Sequence, residues 1–427
     1  MKNTLNIGIC GLGTVGSGVF ALLVANSKLL SMRTNCAFNL VQVASRNIPT
    51  DLNLQNVAVS NDIFAVANNP NINVVVELIG GINPALELVL TAINNGKHVV
   101  TANKALLALH GEQIFSLAQE KGVTVAFEAS VAGGIPIIKV LRESLAADQI
   151  NLIAGIINGT SNFILTSMHQ HKRDFADVLL EAQSLGYAEA DPTFDIAGID
   201  AAHKLTLLAS IAFGINLQFA KVYCEGIASI TSYDIEHALS LGYSIKHLGI
   251  ARRTSSGIEL RVHPTLIAEH QILAKVDGVM NAVLVNSKAL GTSLYYGKGA
   301  GASPTASAIV ADIVDLARAN TCVPFLGNHK LSDLPILSIE DSISAYYLRM
   351  MVKDVPGVLA QITQIFSKFN INIETIIQQE NEVSKGNVPI VIVTHLVQEN
   401  IINQAIIELE KQANIVNKIN KIRILDC

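Results

Sequence analysis

An α/β fold built from several domains is predicted by three features of this sequence. Apolar strand-like runs alternate with helical runs through residues 1–135, the order expected of a parallel sheet with helices on its faces. The first strand passes at once into a Gly-x-Gly-x-x-Gly turn that opens a helix. Residues 345–427 read strand, helix, strand, strand, helix, strand. At 427 residues the chain has length for two or three domains, each able to bury its own core.

The elements follow in order. Leu5 to Cys10 is a strand, and Gly11-Leu-Gly13-Thr-Val-Gly16 follows directly, with an apolar helix through Val24. In such a turn Gly11 permits the tight bend, Gly13 admits a pyrophosphate against the backbone, and Gly16 lets helix pack on strand. The N–H groups of Gly13, Thr14 and Val15 then face the phosphates at the helix N-terminus. These residues predict a Rossmann-type dinucleotide-binding domain; the alternative is glycines that serve only a tight turn. The second strand, Phe38 to Ala44, ends in Ser45-Arg46 rather than in an acid. An acid there binds the ribose diol of NAD, whereas an arginine accommodates the 2′-phosphate of NADP. Arg46 therefore points to NADP, with use of NAD left open; a solvated surface arginine is the plain alternative.

Val74 to Ile79 is a further buried strand, followed by Gly80-Gly81 and a helix over 84–94. His98 to Thr101 is the next, ending in the polar turn Ala102-Asn103-Lys104. Ligands of parallel sheets bind outside the carboxyl ends of the strands, where Gly80, Thr101, Asn103 and Lys104 fall. A lysine at a helix start opposes the helix dipole, which favours a functional reading of Lys104, at the nicotinamide end or at a substrate carboxylate. Val123 to Glu128 is another strand, leading into the bend Val131-Ala-Gly133-Gly134-Ile135-Pro136. One carboxylate beside several carbonyls suits a hard monovalent cation, although a plain strand–turn–helix explains the same residues. Leu152 to Ile157 forms a strand before the polar turn Asn158–Asn162 and a helix from Phe163. Ser161 or Asn162 caps that helix, and Thr160 offers a hydroxyl to a ligand. Ala306 to Arg318 is an apolar helix with Asp312, Asp315 and Arg318 on its polar side. It is expected to pack back on the first domain, which makes that domain discontinuous. Cys322 to Leu337 lacks helical period and reads as a linker.

The stretch Tyr187 to Lys204 places Glu189, Asp191, Asp195 and Asp200 close to a lysine in otherwise apolar sequence. Asp191-Pro192 marks a turn. From about Ala197 the pattern is helical, so Asp200 and Lys204 share one face four residues apart. With Glu189 and Asp195 on the preceding loop, the group suits a small zwitterion carrying a hydroxyl. The alternative is a capped helix with an ordinary salt bridge. His203 reads as a helix-face histidine, and His169 and His171 as part of a solvated connection.

Composition excludes several classes. A net charge of −5 without a Lys/Arg block argues against nucleic acid as a partner. Five scattered cysteines without Cys-x-x-Cys spacing read as reduced thiols of a cytoplasmic protein. No apolar run reaches the roughly 18 residues of a membrane span, and the N-terminal run is too short for a secretory leader.

At this point the chain resembles the homoserine dehydrogenase family. The resemblance rests on Gly-x-Gly-x-Val-Gly at 11–16, Thr-Ala-Asn-Lys at 101–104, Asn-Gly-Thr-Ser-Asn at 158–162 and the 187–204 segment. Arg261-Val-His-Pro-Thr265 and Gly299-Ala-Gly-Ala-Ser-Pro-Thr-Ala-Ser307 add to it, and the motifs stand in the family's order. It implies NAD(P)-dependent interconversion of L-homoserine and L-aspartate 4-semialdehyde in threonine, methionine and isoleucine biosynthesis. It implies Lys204 as acid/base, its pKa lowered by burial or neighbours, with Lys104 the other lysine near the reacting oxygen. Glu189 and Asp200 would hold substrate, Asp195 would support them, and Thr160 would line the pocket. Gly186 and Gly301 match positions near the cofactor. Glu128 with the carbonyls of Val131, Gly133 and Ile135 matches a structural sodium site. The implied assembly is a homodimer or homotetramer.

The tail reads as a separate module. Asp354-Val-Pro356-Gly357-Val-Leu after a strand, in a β-α-β-β-α-β order, resembles an ACT domain. That likeness implies threonine as an effector near 354–358; a dimerisation module without ligand is the alternative. The expected division is 1–135, completed by about 303–322, for the dinucleotide; 136–302 for an inserted α+β substrate and dimerisation domain; 323–344 as linker; and 345–427 as ACT domain. No kinase-sized segment precedes Met1, so a fused aspartokinase is not expected. Rival readings are a catalytically inactive amino-acid sensor on the same fold, or a reductase of another amino-acid semialdehyde.

Overall fold

In a computed structural model, residues 3–50, 52–318, 331–332, 334–378 and 386–425 are described. The described parts divide into two units: residues 1–159, 200–222 and 280–334 in the first, and 160–199, 223–279 and 335–427 in the second.

The first unit is organised by a six-stranded parallel sheet. Its strands are β1 (Asn3–Cys10), β2 (Cys36–Ala44), β3 (Ala58–Ser60), β4 (Val74–Glu77), β5 (His98–Thr101) and β6 (Val125–Ala126), in the order β3-β2-β1-β4-β5-β6. Chain order reverses between β1 and β4, so a crevice opens beyond their carboxyl ends. Ile7, Ile9, Val43, Val74, Val76 and Val100 form the buried side of a core completed by Val19, Phe20 and Leu23 of the helix Thr14–Ala25. Runs apolar on both faces are what a sheet covered by helices demands. The helix Ala302–Arg318 adds Ala306, Ile309 and Ile313 to the same core. A Cβ on Gly18 would lie 3.1 Å from the Ala302 carbonyl oxygen, which shows how closely the two helices approach.

Three local expectations change. The strand expected over 123–128 is only Val125–Ala126, and Glu128 opens a 3-10 turn instead. The polar turn expected at 158–162 is already helix from Gly159, so Thr160, Ser161 and Asn162 occupy its first turn rather than capping it. Asp312 does not lie on a solvated face; it is buried, and its Oδ2 accepts from the backbone N–H of Glu128 at 2.8 Å. The antiparallel strands Ile150–Ile156, Met280–Ser287 and Gly291–Lys298 complete the unit.

The second unit joins the tail to the middle of the chain. Strands Tyr243–Arg253 and Ile258–Ala268 pair antiparallel, and Ile258–Ala268 also pairs with the last strand, Asn420–Ile424. Asn420–Ile424 pairs in turn with Ile343–Lys353, which pairs with Asn387–Thr394, and that with Ile373–Gln378. The β-α-β-β-α-β order therefore holds, with helices Val358–Lys368 and Glu399–Glu410 over one face. The other face carries Tyr347, Val391 and Ile422 into one core with Ile164, Val178, Ile235, Ile245 and Leu266. The tail is thus no free-standing lobe, because one face of its sheet packs into that core. Of the expected linker, only 331–332 and 334–344 fall within the described residues. Among the described residues no single helix is long and apolar enough to cross a membrane.

Candidate active site

A cavity of about 720 Å³ lies at the carboxyl edge of the parallel sheet, lined by Gly11, Leu12, Gly13, Ser45, Arg46, Leu78, Ile79 and Gly80 among others. The three glycines differ in what constrains them. Gly11 has φ +99°, and a Cβ there would lie 2.5 Å from the Leu78 carbonyl oxygen. At Gly16 the added carbon would lie 2.0 Å from the Gly11 carbonyl oxygen. Gly13 meets nothing within 4 Å, so the protein itself does not require a glycine there. The open space over Gly13, at the N-terminus of the helix Thr14–Ala25, fits a pyrophosphate. Thr14 and Val15 open that helix, and Arg46 is exposed on the rim.

At the same edge of the sheet stands a buried ion cluster. Asp200, in the first turn of the helix Ile199–Phe213, accepts from Lys104 on Oδ1 at 3.0 Å and from Lys204 on Oδ2 at 2.7 Å. Asn158 Nδ2 donates to the same Oδ2 at 2.8 Å, and Lys204 Nζ also donates to the Ile157 carbonyl at 2.7 Å. Burial alone would push the Asp200 carboxyl up; the ammonium groups of Lys204 and Lys104 outweigh it and hold the group well below the usual carboxylate range. The i,i+4 pair read from sequence is therefore real, and it is also half of something larger. Lys104 reaches it from the start of the helix Lys104–Lys121 and keeps 33% of its side chain exposed, against 11% for Lys204. One carboxylate between two lysines, one of them open, can hold a polar substrate oxygen and pass a proton to it.

Two buried polar residues support this edge. Glu77, at the end of β4, accepts from the Thr101 hydroxyl at 2.5 Å and from the N–H groups of Ile79 and Gly80 at 2.9 and 3.3 Å. Burial pushes its carboxyl up, and the hydrogen bonds from Thr101, Ile79 and Gly80 oppose that. The Thr101 hydroxyl is thus committed to the protein, which leaves its backbone for a ligand. The sequence places Asn158 in a polar turn and Glu77 within the strand Val74–Ile79, and gives neither a role at the site. The signal for Glu77 was available: an acid closing an otherwise apolar parallel strand has to find donors.

His203 is buried beside the cluster and stacks on Phe219 with ring centroids 4.2 Å apart. Burial lowers its pKa, in keeping with a packed rather than catalytic histidine. Gly301, φ +112°, precedes the helix Ala302–Arg318. Glu128 is 1% exposed, and its two carboxylate oxygens accept from the N–H groups of Ile138 and Lys139 at 2.8 and 2.9 Å. The backbone beside it bends sharply, with positive φ at Ala132 and Gly133 between Val131 and Ile135. Among the described residues no group of three or more His, Cys, Asp or Glu could hold a metal ion. A cation at Glu128 would depend on backbone oxygens, which fits a hard monovalent ion better than a transition metal.

The remaining predicted residues belong to the second unit. Thr160 donates its hydroxyl to the Tyr187 carbonyl at 2.5 Å, and Ser161 donates to the Asp195 carbonyl at 3.1 Å. Those bonds tie the loop 185–198 to the helix Gly159–His171. Asp195 is half-buried within the short helix Thr193–Ile196 rather than on a loop, and Glu189 is exposed. Gly186 has φ +73° with open space around it. Asp191 Oδ1 accepts from Thr193 N–H, so it closes a turn, as expected.

Comparison with known proteins matches three consecutive stretches. A homoserine dehydrogenase NAD binding domain is matched over residues 11–128, a homoserine dehydrogenase family over 136–314, and an ACT domain over 346–414. A homoserine dehydrogenase from Pseudomonas aeruginosa is 58% identical over 427 residues, 98% of each chain. One from Neisseria gonorrhoeae is 50% identical, again over 98% of each. The crystal structure of a homoserine dehydrogenase from Thiobacillus denitrificans superposes with a TM-score of 0.94 at 50% identity, covering 100% of both chains. A hyperthermophilic archaeal homoserine dehydrogenase in complex with NADPH gives 0.62 at 26% identity, covering 73% of this chain and 97% of that one.

Proposed function

The chain belongs to the homoserine dehydrogenase family, and from that premise we propose that it interconverts L-homoserine and L-aspartate 4-semialdehyde, using NADP in preference to NAD. The observation that carries the reading is Asp200 held between Lys104 and Lys204 at the edge where the dinucleotide cavity opens. A dinucleotide held there would supply hydride transfer to and from the alcohol carbon of the substrate. Gly11, Gly13, Thr14, Val15 and Gly16 hold its phosphates, Arg46 meets a 2′-phosphate, and Thr101, Gly186 and Gly301 contribute backbone. The archaeal relative solved with NADPH supports that preference. Lys204 moves the proton at the substrate hydroxyl, and Lys104 steadies the same oxygen from the open side. Asp200 fixes both ammonium groups and binds substrate. Glu189 takes the substrate's ammonium group, with Asp195 and Thr160 shaping its loop.

Glu128, with carbonyls of Val131, Gly133 and Ile135, holds a structural sodium ion in this reading. The tail binds threonine near Asp354–Val358, where Gly357 has φ +94° and open space at a helix N-terminus. Feedback inhibition by threonine follows from that, and with it a place in threonine, methionine and isoleucine biosynthesis in the cytoplasm. The module boundaries are those expected from sequence, and the assembly is a homodimer or homotetramer.

Purified protein should reduce NADP in the presence of L-homoserine, with a lower kcat/KM for NAD, and added threonine should slow the rate. Asp354→Ala should weaken the threonine effect while leaving folding intact. Absence of turnover with either cofactor would refute the enzyme reading and favour an inactive sensor. Faster turnover of a longer or shorter hydroxy amino acid would name another substrate.

A further inference from the structure

Glu77 poses a physical question that the proposed reaction does not answer. It is fully buried, and a buried carboxylate is costly unless its oxygens are well satisfied. In register it lies directly across from Thr101 on the neighbouring parallel strand. Three close donors meet it, the Thr101 hydroxyl on Oε2 and the N–H groups of Ile79 and Gly80 on Oε1, and the Asn103 side chain adds a weaker interaction of its own. Only a side chain that accepts on both oxygens satisfies all three, which is a carboxylate and not an amide.

The Thr101 hydroxyl then has a second task. With its proton given to Glu77, its lone pair accepts from the Asn103 N–H at 3.0 Å. Asn103 is pinned twice more. Its Nδ2 donates to the Gly81 carbonyl at 2.6 Å, and its Oδ1 caps the next helix by accepting from Leu106 N–H at 3.1 Å. Lys104 is the first residue of that helix and reaches Asp200. We propose that Glu77 is a positioning residue of the reacting centre, orienting the Thr101 hydroxyl so that the Asn103 turn presents Lys104 to Asp200. The inference rests on the homoserine dehydrogenase reading and adds to it a residue that touches neither substrate nor cofactor.

Glu77→Gln separates the two arms of the network. The glutamine oxygen still accepts from Ile79 and Gly80, but its NH₂ faces the Thr101 hydroxyl and leaves that proton without its acceptor. Thr101→Val removes the same arm from the other end at nearly constant shape. Full-length wild type, Glu77→Gln, Thr101→Val and the double variant are compared by kcat and KM for L-homoserine, by NADP Kd from fluorescence titration, and by melting temperature. Each single variant is expected to lose about tenfold in kcat, with NADP Kd within about threefold of wild type, and the double variant to lose no more than the worse single one, because both break one chain of contacts. Losses that multiply in the double variant, a kcat unchanged in Glu77→Gln, or a loss of NADP affinity as large as the loss of rate would each overturn the proposal. A wild type that does not oxidise homoserine would refute the underlying reading instead, and the wild-type assay separates the two failures.

Discussion

Two buried ion clusters, one in each unit, look alike in a list of salt bridges and differ in everything that matters for function. In the second unit Arg423 bridges Glu399 and Glu225 and also donates to the Tyr223 hydroxyl. Glu399 accepts further from Lys421 and from the Tyr346 hydroxyl. Arg423 and Glu399 are each 1% exposed, and Glu225, at 28%, brings this cluster towards solvent. In the first unit Asp200 is nearly as buried, but Lys104 keeps 33% of its side chain exposed and stands just past the carboxyl end of β5, on the edge of the sheet where ligands of such folds bind. Burial and pairing alone describe a structural knot as well as a site. What separates the two is position: the Asp200 cluster stands at the carboxyl edge of the parallel sheet, where ligands of such folds bind.

The sharpest way to break this comparison is to remove the centre of each cluster. Arg423→Met leaves Glu399 and Glu225 without their guanidinium and should cost about 3–5 kcal/mol in urea denaturation, while the rate per folded molecule stays within about twofold. Asp200→Asn should lower kcat/KM for homoserine by about 10³-fold per folded molecule, because two lysines lose the charge that orients them. If Arg423→Met abolished turnover without loss of stability, the two clusters would have exchanged roles.

Acid should act on the second unit before it acts on the Asp200 cluster. Burial lowers the His247 pKa to about 4, its Nε2 donates to the Glu225 carbonyl at 3.0 Å, and its buried Nδ1 has no hydrogen-bond partner among the described residues. A histidine with a folded pKa below its unfolded value binds fewer protons when folded, so its contribution is present above about pH 6.5 and is lost as pH falls towards 4. Asp200, with its depressed pKa, keeps its contribution until pH falls below the usual carboxylate range. The buried carboxyls of Glu128 and Asp312, raised by burial to about 7 and about 8, titrate in the opposite sense. The informative quantity is therefore a difference. Between pH 6.5 and 4, wild type should lose up to about 3 kcal/mol relative to His247→Gln, followed by urea denaturation at each pH. Smallest in energy, Arg46→Asp should shift the NADP-to-NAD ratio of kcat/KM about tenfold towards NAD, the scale of one charge-assisted contact, while leaving the Asp200 cluster's chemistry unchanged.

What was legible in the sequence follows the range of the interactions involved. The glycine turn and the Asp200–Lys204 pair are set by residues a few positions apart, and both appear as expected. The return of the helix Ala302–Arg318 was readable because an apolar stripe must bury itself somewhere. The joining of the tail to the strand Ile258–Ala268 was not, because pairing between Thr265 and Arg423 leaves no local mark. Asp312 was misplaced for the same reason: helical period puts it beside Asp315 and Arg318, and only the distant N–H of Glu128 explains its burial. Lys104 was a candidate from its position at a strand end, yet its partner lies on a helix that begins almost a hundred residues later. Residue type and spacing put Asp200 and Lys204 on one helix face; the partners that orient them belong to tertiary structure.

The central claim is that Lys204, held by Asp200 and the Ile157 carbonyl, moves the proton while Lys104 steadies the substrate oxygen. Steady-state homoserine oxidation by Lys204→Ala and Lys104→Ala, each checked for wild-type melting temperature, tests it most directly. The account predicts a loss of about 10³-fold or more in kcat for Lys204→Ala and a smaller loss, weighted towards KM, for Lys104→Ala. A Lys204→Ala variant that keeps its turnover while Lys104→Ala loses it would contradict the account.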